Sequence, residues 1–241
     1  AMGIINGAPL PANQVFTDRM LQLEANAYYT FTRKVELQDS ALVMGYQVGT
    51  TTPALRGALQ VMSTVLGSQF YTELRTRQQL GYILDAGMME RKKTLSLLFL
   101  VQSGKYAPGL LQERVETFLS SFLSDLSALP PNELDELKLS VINGQLKKSE
   151  TIEEEAAQLF DMAFEKDAEF DHLSQEIAAV EKLELPAIQA VVKQYLIPEQ
   201  RRRLAIRMVG KTHEDTAVSG KLIESIEDFK TSHPCPQFCV P

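Results

Sequence analysis

The sequence predicts an α+β domain: an antiparallel β-sheet covered mainly on one face by helices. Three observations predict it. Runs with strand character come in pairs, at residues 28–49 and 82–103, and one alternating run, RRRLAIRMVG, closes the series. Between the second pair and that last run lie consecutive amphipathic segments with helical spacing. Grouped strands and grouped helices argue against a doubly wound parallel fold, which would alternate them. The 241 residues, 44% of them apolar, suffice for one large core or two small ones. With no internal repeat and no visible second core, one domain over residues 25–210 is the simplest division. Residues 1–24 then read as a leader or connecting segment that opens on a cloning remnant, Ala1-Met2-Gly3, and residues 211–241 as a partly loose extension.

Each element follows from local chemistry. YYTFTRKVEL (Tyr28 to Leu37) and ALVMGYQVG (Ala41 to Gly49) are rich in β-formers and flank the turn-like Gln38-Asp39-Ser40, which reads as an antiparallel hairpin. Thr51 or Thr52 as cap and Pro53 in the first turn start a helix that carries Leu55, Leu59, Met62, Val65 and Leu66 at helical spacing. YILDAGM and TLSLLFLVQS form a second strand pair across Glu90 to Lys93. Apolar residues on both faces of Leu95 to Val101 mark a central strand. Leu111, Val115, Phe118, Phe122 and Leu126 define a long helix ending at Pro130-Pro131. Asn132 is the expected cap of the next, which carries Leu134, Leu137, Val141 and Leu146. Thr151 and Glu154 form a capping box for a third, with Ala156, Leu159, Phe160 and Ala163 on its expected inner face. Ile177 and Val180 belong to a shorter helix. Pro186 starts another, burying Ile188, Val191, Val192 and Tyr195. In the closing strand Leu204, Ile206 and Met208 alternate with Arg203, Ala205 and Arg207, the latter set expected on a solvated face. A short helix at Leu222 to Phe229 is expected to pack back.

Composition excludes several functions. Lys and Arg total 24 against 31 Asp and Glu, a net charge of −7, so nucleic acid is not an expected partner. The longest apolar runs, such as LSLLFLV, are too short to cross a bilayer, and no membrane association is expected. Two cysteines, Cys235 and Cys239, stand in the proline-broken tail at C-x3-C spacing, short of the four ligands of a structural zinc site. The three histidines, His172, His213 and His233, are dispersed, and no H-x-x-E-H or H-E-x-x-H pattern exists. No cofactor or metal is expected in this chain.

The stretch ELRTRQQLGY (Glu73 to Tyr82) concentrates hydrogen-bonding side chains where a helix turns into a strand. Arg75 at the helix end and Tyr82 at the strand start would supply a fixed positive charge and an O–H donor, the pair that holds a carbonyl oxygen as it becomes an oxyanion. The plain alternative makes Gly81 a left-handed helix stop, Tyr82 a rim residue and Arg75 a solvated last-turn cation. The spacing alone favours that plain alternative. Gln78 and Gln79 read as amides satisfying helix-end groups, Glu153-Glu154-Glu155 as N-terminal helix charge, and Arg201-Arg202-Arg203 as solvated arginines.

The run FYTELRTRQQLGYILDAG, with Gln102-Ser103 ending the next strand and Phe170-Asp171 before a helix, resembles the last of the four homologous domains of the insulysin and pitrilysin zinc metalloproteases. The resemblance extends over residues 28–209 and is strongest at LRTRQQLGY. It implies an insulysin-like or mitochondrial-processing-peptidase-like metallohydrolase domain, and a parent in which zinc sits on H-x-x-E-H in the N-terminal half. That half and peptide substrates are the implied partners. By resemblance Arg75 and Tyr82 contact substrate near the scissile bond, and the domain forms one wall of a closed peptide chamber. This chain lacks H-x-x-E-H, so it is expected to be inactive alone. The alternative is a non-catalytic subunit or structural partner from a two-chain member of the same superfamily. A cytoplasmic location is expected, with an organelle left open.

Overall fold

The structure is a computed structural model describing residue 11 and residues 20–91, 93–164, 166, 168–215 and 220–232. Cys235, Cys239 and His233 lie outside the described residues. Among the described residues six strands form one mixed sheet: β1 (Ala27–Lys34), β2 (Ser40–Thr50), β3 (Ile83–Arg91), β4 (Thr94–Ser103), β5 (Arg202–Val209) and β6 (Lys221–Leu222), in the order β3-β4-β2-β5-β1-β6. Among the described residues seven α-helices accompany it: α1 (Pro53–Phe70), α2 (Pro108–Ser127), α3 (Pro131–Gln145), α4 (Ile152–Phe164), α5 (His172–Glu181), α6 (Leu185–Val191) and α7 (Ile226–Ser232). The α+β class stands, and β3 with β4 is the expected hairpin.

The first expected hairpin is not one. β5 lies between β1 and β2, parallel to β1 from Ala27↔Arg202 to Lys34↔Val209 and antiparallel to β2 from Ala41↔Met208 to Tyr46↔Arg203. The short Gln38-Asp39-Ser40 connection therefore spans a strand instead of closing a pair. A Cβ at Gly210, where β5 ends, would collide with the Gln38 and Asp39 backbone, so that crossing needs glycine.

One face of the sheet is covered. Leu42, Met44 and Tyr46 of β2, Leu97, Phe99 and Val101 of β4, and Leu84 and Ala86 of β3 are buried with Leu59, Met62, Leu66 and Phe70 of α1 and Leu111, Val115 and Leu119 of α2. The covered set on β5 is Arg203, Ala205, Arg207 and Val209, the reverse of the expectation, while Leu204, Ile206 and Met208 are only half-buried. Buried arginines are tolerable because each is neutralised: Arg203 pairs with Glu116 of α2 and lies over the Tyr28 ring at 4.8 Å, and Arg207 holds Asp215 at 2.5 Å. Arg201, also buried, donates through Nε to the Leu196 carbonyl at 2.6 Å. A period of two separates faces without saying which one helices will cover.

Among the described residues the opposite face carries no helical layer over its central rows. Register partners share a face, and one row there runs Asp85, Leu100, Val43, Ile206, Phe31 across five strands. The neighbouring row runs Ile83, Gln102, Ala41, Met208, Arg33. At the β1 edge Leu23, Tyr29 and Ile223 form a small separate cluster, and Phe229 of α7 meets the Tyr29 ring at 4.9 Å, so the expected terminal helix does pack back.

Thr52 caps α1, its Oγ1 accepting from Leu55 N at 3.2 Å. Pro130 occupies the cap position of α3 and Pro131 its first turn, so Asn132 lies inside the helix rather than capping it. Proline's fixed φ suits that first turn. The Thr151 cap of α4 forms, Oγ1 accepting from Glu154 N at 3.1 Å, while the Glu154 carboxylate turns to Glu150 N at 2.8 Å. The expected inner face of α4 is not buried: no residue of the helix is, and Leu159 and Phe160 are 48% and 61% exposed. Leu146, the residue that caps the C-terminus of α3, is exposed as well.

Charged side chains fasten the helices to β3. Arg56 of α1 gives two hydrogen bonds to Glu90, Nε to Oε2 and Nη2 to Oε1, both 2.8 Å. Its single Nε hydrogen is thereby used, so its 2.9 Å approach to Glu176 Oε1 on α5 is an attraction of charges. Gln60 and Gln145 donate to Glu176 Oε2 at 3.2 and 3.0 Å, and Lys166 reaches Glu90 at 2.8 Å. His172 Nδ1 lies 3.1 Å from Arg56 Nη1. A guanidinium only donates, so Nδ1 accepts and the ring is neutral.

Acid should loosen this cluster. Burial, then the Arg56 charge, lower the His172 pKa below its ordinary 6.5. Its native form is thus neutral, and the stability tied to it declines as pH falls through the unfolded value near 6.5. Burial pushes the Glu90 carboxyl up, but Arg56 and Lys166 outweigh it and hold the pKa at about 2, against an ordinary 4.5. That contribution is complete above 4.5 and is lost as pH falls toward 2. Allowing for solvent screening, it is about 1–3 kcal/mol. Urea midpoints at pH 7, 5.5 and 4 should fall in that order. His172→Gln should flatten the upper step alone, and an unchanged upper step would refute the neutral ring.

Candidate functional site

The polar corner lies where α1 ends. The helix does not stop at Phe70 but widens into a π-helix, Tyr71–Arg77, with Leu74 buried as its anchor. Such widening is uncommon and concentrates at functional sites. The chain then reverses: Gln78 N bonds to Glu73 O at 2.9 Å, Gln79 takes the left-handed conformation at φ 53°, and Leu80 N returns to Leu74 O at 2.9 Å. Gln79, not Gly81, is therefore the left-handed residue. Gly81 is required for a different reason, since a Cβ there would collide with the Gln102 carbonyl oxygen of β4. That close approach sets Tyr82 beside β4, its N–H bonding to Gln102 O at 3.1 Å.

Tyr82 is half-exposed, and its hydroxyl is engaged at the rim of the open sheet face. It donates to Asp39 Oδ2 and accepts from Gln102 Nε2 at 2.5 Å, while Gln102 Nε2 also lies 3.1 Å from Asp39 Oδ2. The hydrogen bond to Asp39 raises the Tyr82 pKa, and the bonds from Tyr82 and then Gln102 lower that of Asp39. At neutral pH the site is thus a protonated phenol against a carboxylate. Behind it Ser40 Oγ accepts from Gly210 N at 2.9 Å and meets His213 Nδ1 at 2.6 Å, which fixes the β2 end that carries Asp39.

Arg75 is half-buried and, unlike Arg56, Arg203 and Arg207, has no carboxylate partner among the described residues. Its Nε, like those of Arg202, Arg203 and Arg207, is buried without a hydrogen-bond partner. Among the described residues nothing pairs with its guanidinium, and no hydrogen bond joins it to Tyr82. An unpaired cation with a desolvated Nε is a costly arrangement that a bound acceptor would relieve. By contrast Gln78 donates to Glu73 at 3.0 Å and Arg77 to the same carboxylate at 3.0 Å, the plain helix-end reading. A cleft of about 550 Å³ between the π-helix and α2 is lined by these satisfied groups.

Asp39 and Gln102 are the residues that sequence reasoning left out of the site. The first read as a turn former and the second as the end of a strand, with no local signal that their side chains meet Tyr82. Among the described residues no group of three His, Cys, Asp or Glu is arranged to hold a metal ion, and no helix is long and apolar enough to cross a membrane. Chemically, the corner offers an O–H donor with an adjoining amide and carboxylate at the rim of an extended, half-apolar sheet surface, and an unpaired guanidinium on the π-helix that precedes it.

Comparison with known proteins gives consistent matches. A family described as "PQQ synthase PqqF-like, C-terminal lobe domain 4" matches residues 61–160. The chain is 27% identical over 214 residues to insulin-degrading enzyme of Drosophila melanogaster, covering 88% of this chain and 22% of that protein. It is 32% identical over 99 residues to Protease 3 of Escherichia coli (strain K12), covering 41% of this chain and 10% of that protein. Among solved structures, pitrilysin superposes with a TM-score of 0.77 at 22% identity, over 91% of this chain and 24% of that one. A peptidase M16 inactive domain from Pseudomonas fluorescens gives 0.59 at 14% identity, over 80% and 45%. These structural likenesses show the fold. The chain spans about a fifth of the Drosophila relative's length.

Proposed function

Taking the chain as a C-terminal domain of the insulysin/pitrilysin family, to which it belongs, we propose that it serves peptide-bond hydrolysis by a larger zinc metalloendopeptidase, contributing Arg75 and Tyr82 to the substrate. The unpaired Arg75 guanidinium on the π-helix and the half-exposed Tyr82 hydroxyl, at the two ends of the turn that leads into β3, are the observations that support this reading. A peptide lies extended along the open sheet face, which forms one wall of the chamber. As the scissile carbonyl oxygen gains negative charge, the Tyr82 O–H turns from Asp39 to that oxygen, and Gln102 remains to hold the freed carboxylate. Arg75 takes a second acceptor of the substrate, through a planar fork suited to carbonyl or carboxylate oxygens. Asp39 is a positioning residue that keeps the phenol aimed and protonated. The described residues of this chain do not suit a zinc ion, which belongs to the N-terminal half of the parent.

A second reading is a non-catalytic subunit of a two-chain relative, a role compatible with the fold shared with the peptidase M16 inactive domain. It leaves the fold unchanged and makes Arg75 a contact to a partner chain.

Metal analysis and a fluorogenic peptide assay on the purified chain test the division of labour. We expect less than about one tenth of an equivalent of zinc and no cleavage, because metal-assisted hydrolysis needs ligands and a base that are absent from this sequence. Tightly held zinc at one equivalent, or chelator-sensitive cleavage restored by zinc, would overturn the proposal.

A further inference from the structure

Helix α4 is built to be covered. Ile152, Ala156, Leu159, Phe160, Ala163 and Phe164 fall along one side, at helical spacing, yet Ile152, Phe160 and Phe164 are 82%, 61% and 65% exposed. The Phe160 and Phe164 rings stand 4.4 Å apart as one apolar surface. Isolated helices of this length are marginal in water and take their stability from packing of the apolar stripe. Nevertheless α4 is held in place at both ends, by the Thr151 cap and by the Lys166–Glu90 ion pair just beyond Phe164. It is presented rather than frayed.

We propose that the apolar side of α4 is a docking surface for a neighbouring domain of the longer parent polypeptide, one that offers an apolar groove edged by lysine or arginine. Two facts select that occupant. The chain spans only 22% and 25% of the first two curated relatives, and 45% and 48% of two solved neighbours, so more than half of each of those polypeptides lies outside the matched fold. Charge argues against a second copy: Glu153 stands on the apolar side at its N-terminal end and Glu155 borders it, and a symmetric pairing would set these acidic flanks against each other in a chain of net charge −7. The same flanks attract a basic rim. The inference rests on the proposed longer parent but not on the roles of Arg75 and Tyr82.

Hydrogen exchange read by mass spectrometry separates the outcomes, comparing the 241-residue chain with the full-length parent. We expect peptides within residues 152–164 to exchange on the order of 100-fold more slowly in the parent. Phe160→Ser with Phe164→Ser should return the parent's rate to that of the chain, without lowering the melting temperature of the chain itself. Equally fast exchange in both proteins would overturn the proposal. Slow exchange in the chain alone that speeds up on dilution would overturn it in favour of a second copy. Neither readout involves turnover, so failure here is distinct from failure of the substrate-contact reading.

Discussion

Replacing Arg56 with Ala is expected to cost the chain about 3–5 kcal/mol of stability, the effect of breaking a buried ion network from one side. Arg56 is the hub: its guanidinium neutralises Glu90 on β3 and Glu176 on α5, and its side chain is 7% exposed against 10% and 6% for theirs. Without it Glu176 keeps only neutral amides and a neutral imidazole, while Glu90 keeps Lys166. At about 2–4 °C per kcal/mol for a chain of this size, melting should fall by roughly 6–20 °C. Arg56→Met with Glu176→Gln and Glu90→Gln should recover much of the loss, because no uncompensated carboxylate remains. A loss under about 1 kcal/mol for the single variant would mean that water already screens the cluster.

That network shows where sequence stops informing. Periodicity and local caps revealed α1, α2, α5, α6 and the second hairpin, since each depends on residues near one another in the chain. The pairing of β1 was misjudged because its true neighbour, β5, begins at Arg202, far beyond any turn signal. The solvated face assigned to β5 was wrong for the same reason: Arg203 lies on the helix-covered side, where Glu116 neutralises it from 87 positions away. In α4 the amphipathic pattern was read correctly, but a pattern states only that a face wants cover.

The site divides in the same way. Arg75 and Tyr82 enter the proposed site through resemblance of a short motif, whereas composition and spacing alone favour a helix end and a rim tyrosine. Asp39 and Gln102 were not legible as site residues, standing 43 and 20 positions from Tyr82 and meeting it only through the sheet register. Their contact also changes the expected state of the hydroxyl. It is not idle in this chain but already donates to Asp39, so its use on substrate is an exchange of acceptors.

The substrate-contact reading expects large kinetic effects at little structural cost. In the full-length parent, Tyr82→Phe and Arg75→Ala should each lower turnover by on the order of 10- to 1000-fold, the range for loss of a donor that acts in the transition state. Arg75→Lys should recover part of the loss, since an ammonium keeps the charge but not the planar fork. Asp39→Ala should reduce turnover less than Tyr82→Phe, and Asp39→Asn should restore most of it, because an amide oxygen still accepts from the phenol.

Turnover of the Tyr82→Phe parent, measured with its zinc content and with the melting temperature of the same substitution in this chain, tests the account most directly. Expected are a loss of at least about 10-fold in turnover, unchanged zinc, and a melting temperature little changed by removing one half-exposed hydroxyl. Full turnover together with a markedly lower melting temperature would contradict it, leaving the Tyr82 hydroxyl as a strut between β3 and the Asp39 turn.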